Sequence, residues 1–139
     1  MYFVNREQIA VRLDSIAELA TAMEMLAVNW QGTVLEGLAQ ERALHLAIET
    51  VTDIGSFLID GFILRDASSY EDIIEITGEA GAFPLEMQAV LTELVMLRKP
   101  LVQDYYVWQR SELQPLTKTL STLLPAFKKS IEDYLEREL

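Results

Sequence analysis

The stretch from Thr33 to Gly61 reads TVLEGLAQERALHLAIETVTDIGSFLIDG, contains no proline and decides the fold. Thr33 and Glu36 have the spacing of a capping box, in which a hydroxyl and a carboxylate satisfy free backbone donors at a helix start. At the other end, Gly61 stands where a C′ glycine ends a helix. The apolar residues fill one broad arc of a helical wheel: Ala43, Leu44, Ala47, Val51, Ile54, Phe57 and Leu58. The sequence therefore predicts one long, two-faced helix over residues 34–60.

Upstream of this helix, apolar residues from Ile9 to Ala27 are spaced alternately by four and three positions. This period predicts a helix over about 6–29, with Asn5 as its N-cap and Gly32 as its stop signal. The stripe is close to a heptad repeat, which suits packing inside a bundle or across a dimer.

Downstream, start and stop signals predict three further helices. The first is a short helix from the Ser69/Asp72 capping pair to Gly78 or Gly81. The second has Pro84 at its first position and kinks or stops near Lys99 because of Pro100. The third is opened by the Ser111/Gln114 capping pair, with Pro115 in its first turn and a kink at Pro125. The predicted fold class is all-α, an up-and-down bundle of four to five helices in one domain of residues 1–139.

Composition excludes several classes of protein. The 11 basic and 22 acidic residues give a net charge of −11, which argues against a broad basic nucleic-acid surface but not against a local basic site. The absence of cysteine excludes disulfides and thiolate chemistry. The longest uncharged run, from Met25 to Leu35, is too short to span a membrane, and the first residues lack a signal-peptide pattern. We expect a cytoplasmic protein with no membrane partner.

The single histidine, His45, lies four and eight residues before Glu49 and Asp53, so all three project from one face of the long helix. An imidazole and a carboxylate one turn apart are a common pair of metal ligands, and a role in ligand binding is a second interpretation. Carboxylate-bridged metal bundles take ligands from several helices, and this chain has one histidine. A polar face with local ion pairs is the interpretation we favour, and no metal or other cofactor is predicted.

A second group of polar residues follows the fourth predicted helix, in the stretch Arg98-Lys99-Pro100-Leu101-Val102-Gln103-Asp104-Tyr105. Two cations stand at a helix end beside a proline break. By charge alone, Arg98 and Lys99 would complement the dipole at the helix C-terminus.

The layout Arg98-x4-Gln103-x-Tyr105 in the last third of a helical chain resembles the HepT-like branch of the HEPN superfamily, whose usual motif is Arg-x4-His-x-Tyr. Further stretches extend the resemblance in family order: Glu49-x3-Asp53-Ile54-Gly55, Ile59-Asp60-Gly61, Ser69-Tyr70-Glu71-Asp72 and Gly81-x-Phe83-Pro84. The text around residues 1–4, 60–63 and 101–103 is similar to the YutE-type members of this branch.

The resemblance implies a homodimer in which the motifs of both chains line a shared cleft. It also implies a toxin of the metal-independent endoribonuclease class, paired with a small nucleotidyltransferase antitoxin that attaches AMP to the motif tyrosine. Carried over by position, Arg98 is the cation that binds the phosphate and stabilises the transition state. Tyr105 is the tyrosine that would be modified.

Two positions depart from the family motif: Gln103 replaces the histidine, and Lys99 replaces the asparagine that often follows the arginine. RNA cleavage without a metal needs a base for the 2′-hydroxyl and an acid for the leaving oxygen. A histidine titrates near neutrality, whereas a glutamine amide only donates or accepts hydrogen bonds. We therefore expect a cleft that binds phosphate-bearing ligands and cleaves RNA weakly or not at all. Rescue by His45 or Asp104 would require either group to reach the substrate.

Three interpretations of the function stay open. The first is a ribonuclease toxin that remains active despite Gln103. The second is a dimeric binding protein that holds a nucleotide, or a nucleotidyltransferase, with Arg98, Lys99 and Tyr105. The third is a structural helical dimer in which Arg98 only caps a helix.

Overall fold

A computed structural model of the chain describes residues 2–139. Met1, the first residue of the predicted domain, lies outside the described residues. The described part is an all-helical bundle, as predicted. It contains six α-helices: α1 (Arg6–Asp14), α2 (Ile16–Val28), α3 (Val34–Gly61), α4 (Tyr70–Glu79), α5 (Leu85–Met96) and α6 (Pro115–Glu138). None of these helices is long and apolar enough to cross a membrane.

The first predicted helix is divided in two at Ser15, so the prediction of one continuous helix over 6–29 is wrong. The Ser15 backbone N–H and its hydroxyl both donate to the carbonyl of Arg12, three residues back, at 3.2 Å and 2.7 Å. A serine that bonds to the local backbone in this way competes with the regular four-residue ladder. The predicted apolar face survives the break, because Ile9 and Leu13 before it and Met23 after it are all buried.

The long helix α3 forms as predicted, but its predicted end at a C′ glycine is wrong. Gly61 is still helical, Phe62 is the C-cap, and Ile63 is the residue with a positive φ of 54°. The backbone N–H of Glu36 donates to the Thr33 hydroxyl at 3.1 Å, and the backbone N–H of Thr33 donates to the Glu36 carboxylate at 3.0 Å. The hydrogen bond from the Thr33 backbone is the main cause that lowers the pKa of the Glu36 carboxyl. The buried face of α3 carries the centre of the core, where Leu44, Ile48 and Ile54 are fully enclosed.

Helices α3 and α6 run in the same direction. Near their first turns the hydroxyl of Thr117 donates to the Gln40 side chain, and near their ends the rings of Phe62 and Tyr134 pack edge to face. The predicted up-and-down order of five helices would make these two antiparallel, so that part of the prediction is wrong. Helix α5 begins beside the second half of α6, where the Ser130 hydroxyl donates to the carbonyl of Ala82 at 2.8 Å and Arg137 Nη2 donates to that of Gly81 at 3.1 Å.

The last helix begins at Pro115, with Gln114 rather than Ser111 as its cap. The side-chain oxygen of Gln114 accepts a hydrogen bond from the backbone N–H of Leu116 at 3.2 Å, so the predicted Ser111/Gln114 capping pair is wrong. Ser111 is instead held through its carbonyl oxygen, which accepts a hydrogen bond from the indole nitrogen of Trp30 at 2.9 Å. Helix α6 continues through Pro125, at which the predicted kink stays a prediction.

Two other prolines act at helix boundaries. Pro84 is the N-cap of α5 rather than its first residue, which is Leu85. The stop predicted near Lys99 is confirmed, since α5 ends at Met96 and Leu97 is its C-cap.

The start of α4 is fastened by a hydrogen-bond network on Asp72. The Ser69 hydroxyl accepts from the Asp72 backbone N–H at 3.0 Å, which confirms Ser69 as the cap. The Asp72 carboxylate turns away from Ser69 and binds the Arg65 guanidinium through two hydrogen bonds of 3.0 Å and 2.8 Å. It also accepts from the backbone N–H of Ser68 at 2.9 Å. The hydrogen bond from Arg65, followed by that from Ser68, lowers the pKa of the Asp72 carboxyl to about 2.

This network predicts a specific loss of stability in acid. The folded-state pKa of Asp72 is about 2 against an ordinary value of 3.8, so its contribution is present above pH 3.8 and is lost as the pH falls to 2. We expect Asp72→Asn to be less stable than the wild type at neutral pH and to lose less stability between pH 4 and 2. Urea denaturation across that range measures both quantities.

The matched control is Asp66→Asn, which removes an exposed carboxyl from the same loop. The control should follow the wild-type pH profile. Parallel wild-type and Asp72→Asn profiles would contradict a role for this network in holding the start of α4.

Candidate functional site

The motif stretch lies in a π-helical turn, Lys99–Gln103, followed by a short 3-10 turn, Tyr105–Val107. Pro100 has no backbone N–H, so the carbonyl of Met96, four residues earlier, loses its α-helical partner. The backbone N–H of Leu101 still donates to the Leu97 carbonyl at 2.9 Å, and the bonding pattern changes after it. The backbone N–H of Asp104 donates instead to the carbonyl of Lys99, five residues back, at 3.0 Å. Buried Leu101 fixes this turn to the core. Single π turns of this kind occur frequently at functional sites.

The π turn changes which motif residues share a face. In an α-helix, positions five apart such as Arg98 and Gln103 point about 140° away from each other. A turn closed by hydrogen bonds that span five residues brings such positions toward the same side. The four-residue gap in the motif therefore matches the π turn better than a regular helix.

The guanidinium of Arg98 lies over the ring of Tyr70, at 4.4 Å from guanidinium carbon to ring centroid. Its Nε atom is buried and has no hydrogen-bond partner within residues 2–139. No carboxylate among the described residues forms an ion pair with Arg98. Stacking thus orients the guanidinium and leaves its planar fork of donors unused by acidic groups.

The other motif residues extend toward solvent. Gln103 is exposed at the end of the π turn, and Tyr105 is 58 % exposed at the start of the 3-10 turn. Lys99 forms an ion pair with Asp104, with 3.7 Å between Nζ and Oδ2. The structure therefore places Arg98, Gln103 and Tyr105 on one short segment, although no hydrogen bond joins their side chains in the described part of the chain.

The second group, His45, Glu49 and Asp53, forms the polar face that the sequence favours. The two ring nitrogens of His45 lie 3.4 Å from Arg42 Nη1 and 3.3 Å from Glu49 Oε1, so both face partners on the same helix. Asp53 binds Arg12 of α1 at 3.0 Å instead of joining them. No group of three or more acidic or histidine side chains within residues 2–139 is arranged to hold a metal ion.

Comparison with known proteins decides the family. The family model described as "Ribonuclease HepT-like" matches residues 12–134, which is most of the chain. The chain belongs to the HepT-like ribonuclease family.

Similarity to individual members of this family extends over the whole chain. A protein of Bacillus subtilis (strain 168) named "Putative RNase YutE" is 40% identical over 139 residues, which is 100% of this chain and 95% of that protein. A solved structure, described as that of the cytosolic protein of unknown function YutE from Bacillus subtilis, matches with a TM-score of 0.90 at 37% identity. This match covers 100% of the present chain and 96% of the solved one.

Sequence reasoning missed two features around the motif. The first is Tyr70, which the resemblance includes only as a letter in a family stretch; its contact with Arg98 joins residues 28 positions apart, and no local pattern reports it. The second is the loop 108–114, part of which the Ser111/Gln114 pair assigned to the start of the last helix. Its contacts with α3 bring it beside the motif and shape the neighbouring cavity.

The stacking contact predicts that Tyr70 orients Arg98. Tyr70→Leu should lower the free energy of unfolding by about 1 kcal/mol, because a partly desolvated cation–π contact contributes 0.5–2 kcal/mol. It should also speed hydrogen exchange at the Arg98 Nε–H, whose nitrogen is buried in the wild type. Nuclear magnetic resonance of the arginine Nε–H signals measures this exchange, and Arg98→Lys assigns the signal.

Tyr70→Phe is the matched control, because it keeps the ring and removes only the hydroxyl. Exchange at Arg98 in Tyr70→Phe should stay at the wild-type rate. Equal exchange rates in all three proteins would show that the ring does not hold the guanidinium.

Proposed function

We propose that this HepT-like protein binds RNA or a nucleotide through the phosphate at Arg98 and cleaves RNA weakly or not at all. The observation that carries this proposal is the guanidinium of Arg98, which is stacked on Tyr70, has no acidic partner among the described residues, and shares its turn with a glutamine. The ribonuclease family of the chain supports an RNA-related ligand.

Arg98 suits a phosphate because its planar fork matches the oxygens of the ligand in two parallel hydrogen bonds. The chain carries a net charge of −11, so a ligand anion is repelled by most of its surface. Lys99 adds a second cation beside Arg98, although its ion pair with Asp104 neutralises part of that charge. This local positive site supports binding of one or a few phosphates rather than a long polyanion.

The proposed loss of cleavage follows from the proton transfers that the reaction needs. The 2′-oxygen attacks phosphorus as it loses its proton to a base, and the 5′-oxygen leaves as it gains a proton from an acid. Gln103 can perform neither transfer, because its amide does not titrate. His45, the one histidine, is engaged with Arg42 and Glu49 on α3. Removing one acid–base group lowers a rate by about 10²–10⁴-fold.

We predict that Gln103→His raises metal-independent RNA cleavage by about 10²–10⁴-fold over the wild type, which is the usual contribution of one acid–base group. Arg98→Ala should abolish that gain when combined with Gln103→His, because the phosphate is no longer held. Cleavage of a fluorescent RNA in EDTA measures all three proteins.

Arg6→Ala is the matched control, because it removes an exposed arginine far from the motif in the sequence, at the start of α1. It should leave the activity of Gln103→His unchanged. Wild-type cleavage as fast as that of Gln103→His, and lost in Arg98→Ala, would contradict the proposed weakness. It would direct the search for a base to His45.

A second candidate function is a non-enzymatic toxin-family protein that holds a nucleotidyltransferase partner. The exposed side chain of Tyr105 favours this alternative, because an enzyme that transfers AMP must reach it. In that step the phenolic oxygen loses its proton to a base of the transferase and forms a bond to the α-phosphorus of ATP, while the bond from that phosphorus to pyrophosphate breaks and pyrophosphate leaves. Tyr106 packs edge to face on Tyr105, with ring centroids 5.7 Å apart, and holds the tyrosine at the end of the motif.

We also propose that the motif lies at the interface of a homodimer. Tyr106 and Val107, the next two residues, are 74% and 61% exposed, which places apolar surface directly beside the motif. Contiguous exposed apolar side chains mark contact surfaces. A second copy of the chain would cover them and bring two Arg98 side chains to one cleft, as the family resemblance implies.

Dimerisation predicts that the wild type sediments as a dimer at micromolar concentration and that Tyr106→Lys sediments as a monomer. A lysine at the centre of an apolar contact leaves a buried charge without a partner. Leu85→Lys is the control, because Leu85 is similarly exposed but lies at the opposite end of α5 from Arg98. A monomeric wild type would contradict the shared cleft.

A further inference from the structure

An open cavity of about 320 Å³ lies beside the motif, between the π turn and the start of α6. Pro100 and Asp104 contribute one side, and Trp108, Gln109, Glu112 and Pro115 contribute the other. Because Pro100 is two residues from Arg98 and Asp104 is next to Tyr105, this cavity adjoins the segment that carries the proposed phosphate site.

The far wall of this cavity, loop 108–114, is anchored rigidly to α3. Gln40 is 0% exposed, and both the nitrogen and the oxygen of its side-chain amide bind the loop. Its nitrogen donates to the carbonyl of Glu112 at 3.0 Å, and its oxygen accepts from the backbone N–H of Gln114 at 2.8 Å. Arg110 adds an ion pair with Glu41, with 3.0 Å between Nη2 and Oε1.

Close backbone approach completes the anchoring. A Cβ atom at Gly37 would clash with the backbone and side chain of Arg110, so only glycine lets the loop lie against α3 at this level. A non-helical loop with this many long-range contacts holds its shape before any ligand arrives. Such preorganisation lowers the entropy that binding costs.

The walls of the cavity combine a flat apolar surface with hydrogen-bond acceptors. The apolar part of the lining consists of Trp108, two prolines, Val107 and Leu113. The Trp108 Nε1 atom is buried without a hydrogen-bond partner in the described chain. When they are ionised, the carboxylates of Asp104 and Glu112 accept hydrogen bonds and cannot donate them. Glu112 makes no side-chain hydrogen bond or ion pair within residues 2–139, so its carboxylate is available.

The apolar surface suits a planar nucleobase, and the carboxylates distinguish one base from another. A base stacked on an indole gains about 1–3 kcal/mol in known complexes, whichever base it is. A carboxylate discriminates among bases because it needs N–H donors. Guanine offers two adjacent donors, at N1 and the 2-amino group, whereas uracil offers one N–H between two carbonyl oxygens that would face the carboxylates.

We propose that this cavity is a base-binding subsite with a preference for guanine, in which the base stacks on Trp108 and donates to Asp104 or Glu112. The inference rests on the proposed function, since it places the phosphate of the same ligand on Arg98. It identifies the ligand class as guanine-containing RNA or a guanine nucleotide.

The test uses two deoxydinucleotides, d(GpG) and d(UpU), which lack the 2′-hydroxyl and so cannot be cleaved by the family's reaction. Each has a base on both sides of its one phosphate, so no assumption about the orientation of the strand is needed. Isothermal titration calorimetry with the full chain gives the dissociation constants. We expect d(GpG) to bind about tenfold more tightly than d(UpU), the discrimination typical of one bidentate contact.

Variants separate the base subsite from the phosphate site. Asp104→Asn and Glu112→Gln together should bring the ratio of the two affinities close to one. The loss of two negative charges, one of them paired with Lys99, acts on the phosphate and so changes the binding of both ligands by a similar factor. Arg98→Ala should weaken both ligands by a similar factor, about tenfold or more, because a hydrogen bond to a charged group is lost. Glu86→Gln, at an exposed carboxylate in the first turn of α5, is the control and should behave as the wild type.

Each result is decisive for one of the two proposals. Equal affinities for d(GpG) and d(UpU) in the wild type, both weakened in Arg98→Ala, would overturn the base subsite and leave phosphate binding intact. A guanine preference that survives the double substitution would place the base elsewhere and also overturn it. Guanosine binding that needs Asp104 and Glu112, together with no effect of Arg98→Ala, would support the subsite and overturn the phosphate site. Absence of binding to d(GpG), d(UpU) and guanosine would overturn both.

Discussion

Pro100 has no backbone N–H and so interrupts the hydrogen-bond ladder that follows α5, and the chain adopts a π turn at this point. The turn is closed by the bond from Asp104 to the Lys99 carbonyl and held by buried Leu101. It brings positions five apart toward one side, and it ends in the exposed Tyr105. The geometry of the motif therefore depends on this π turn and on its apolar anchor.

The arginine of the motif is positioned by an aromatic ring rather than by an acid. The chain has 22 acidic residues, and most of its other arginines form an ion pair with a carboxylate. Arg65 pairs with Asp72, and Arg110 pairs with Glu41. A carboxylate partner would use the guanidinium donors and cancel the charge. Tyr70 orients Arg98 from the face of its plane, so no carboxylate among the described residues takes its edge donors. The start of α4, where Tyr70 lies, is in turn fastened by Asp72.

The loop between the motif and α6 is irregular but not loosely attached. A buried amide such as that of Gln40 is costly unless every polar atom is bonded, and here its nitrogen donates and its oxygen accepts twice. The same loop is tied to Trp30 and to Glu41. These contacts give the cavity beside the π turn a fixed wall, which a flexible loop could not provide.

The sequence by itself determined the helices, because apolar periodicity, caps and prolines act over a few residues; α3, the stop before Pro100 and the cap at Ser69 were all predictable in this way. Local signals failed where a distant partner competed for the same groups: Ser111 is bonded to Trp30 rather than capping α6. Only the tertiary structure decided that Tyr70 supports Arg98 and that Gln40 holds the wall of the cavity. Such contacts join residues far apart in sequence, and their geometry exists only once the helices have packed.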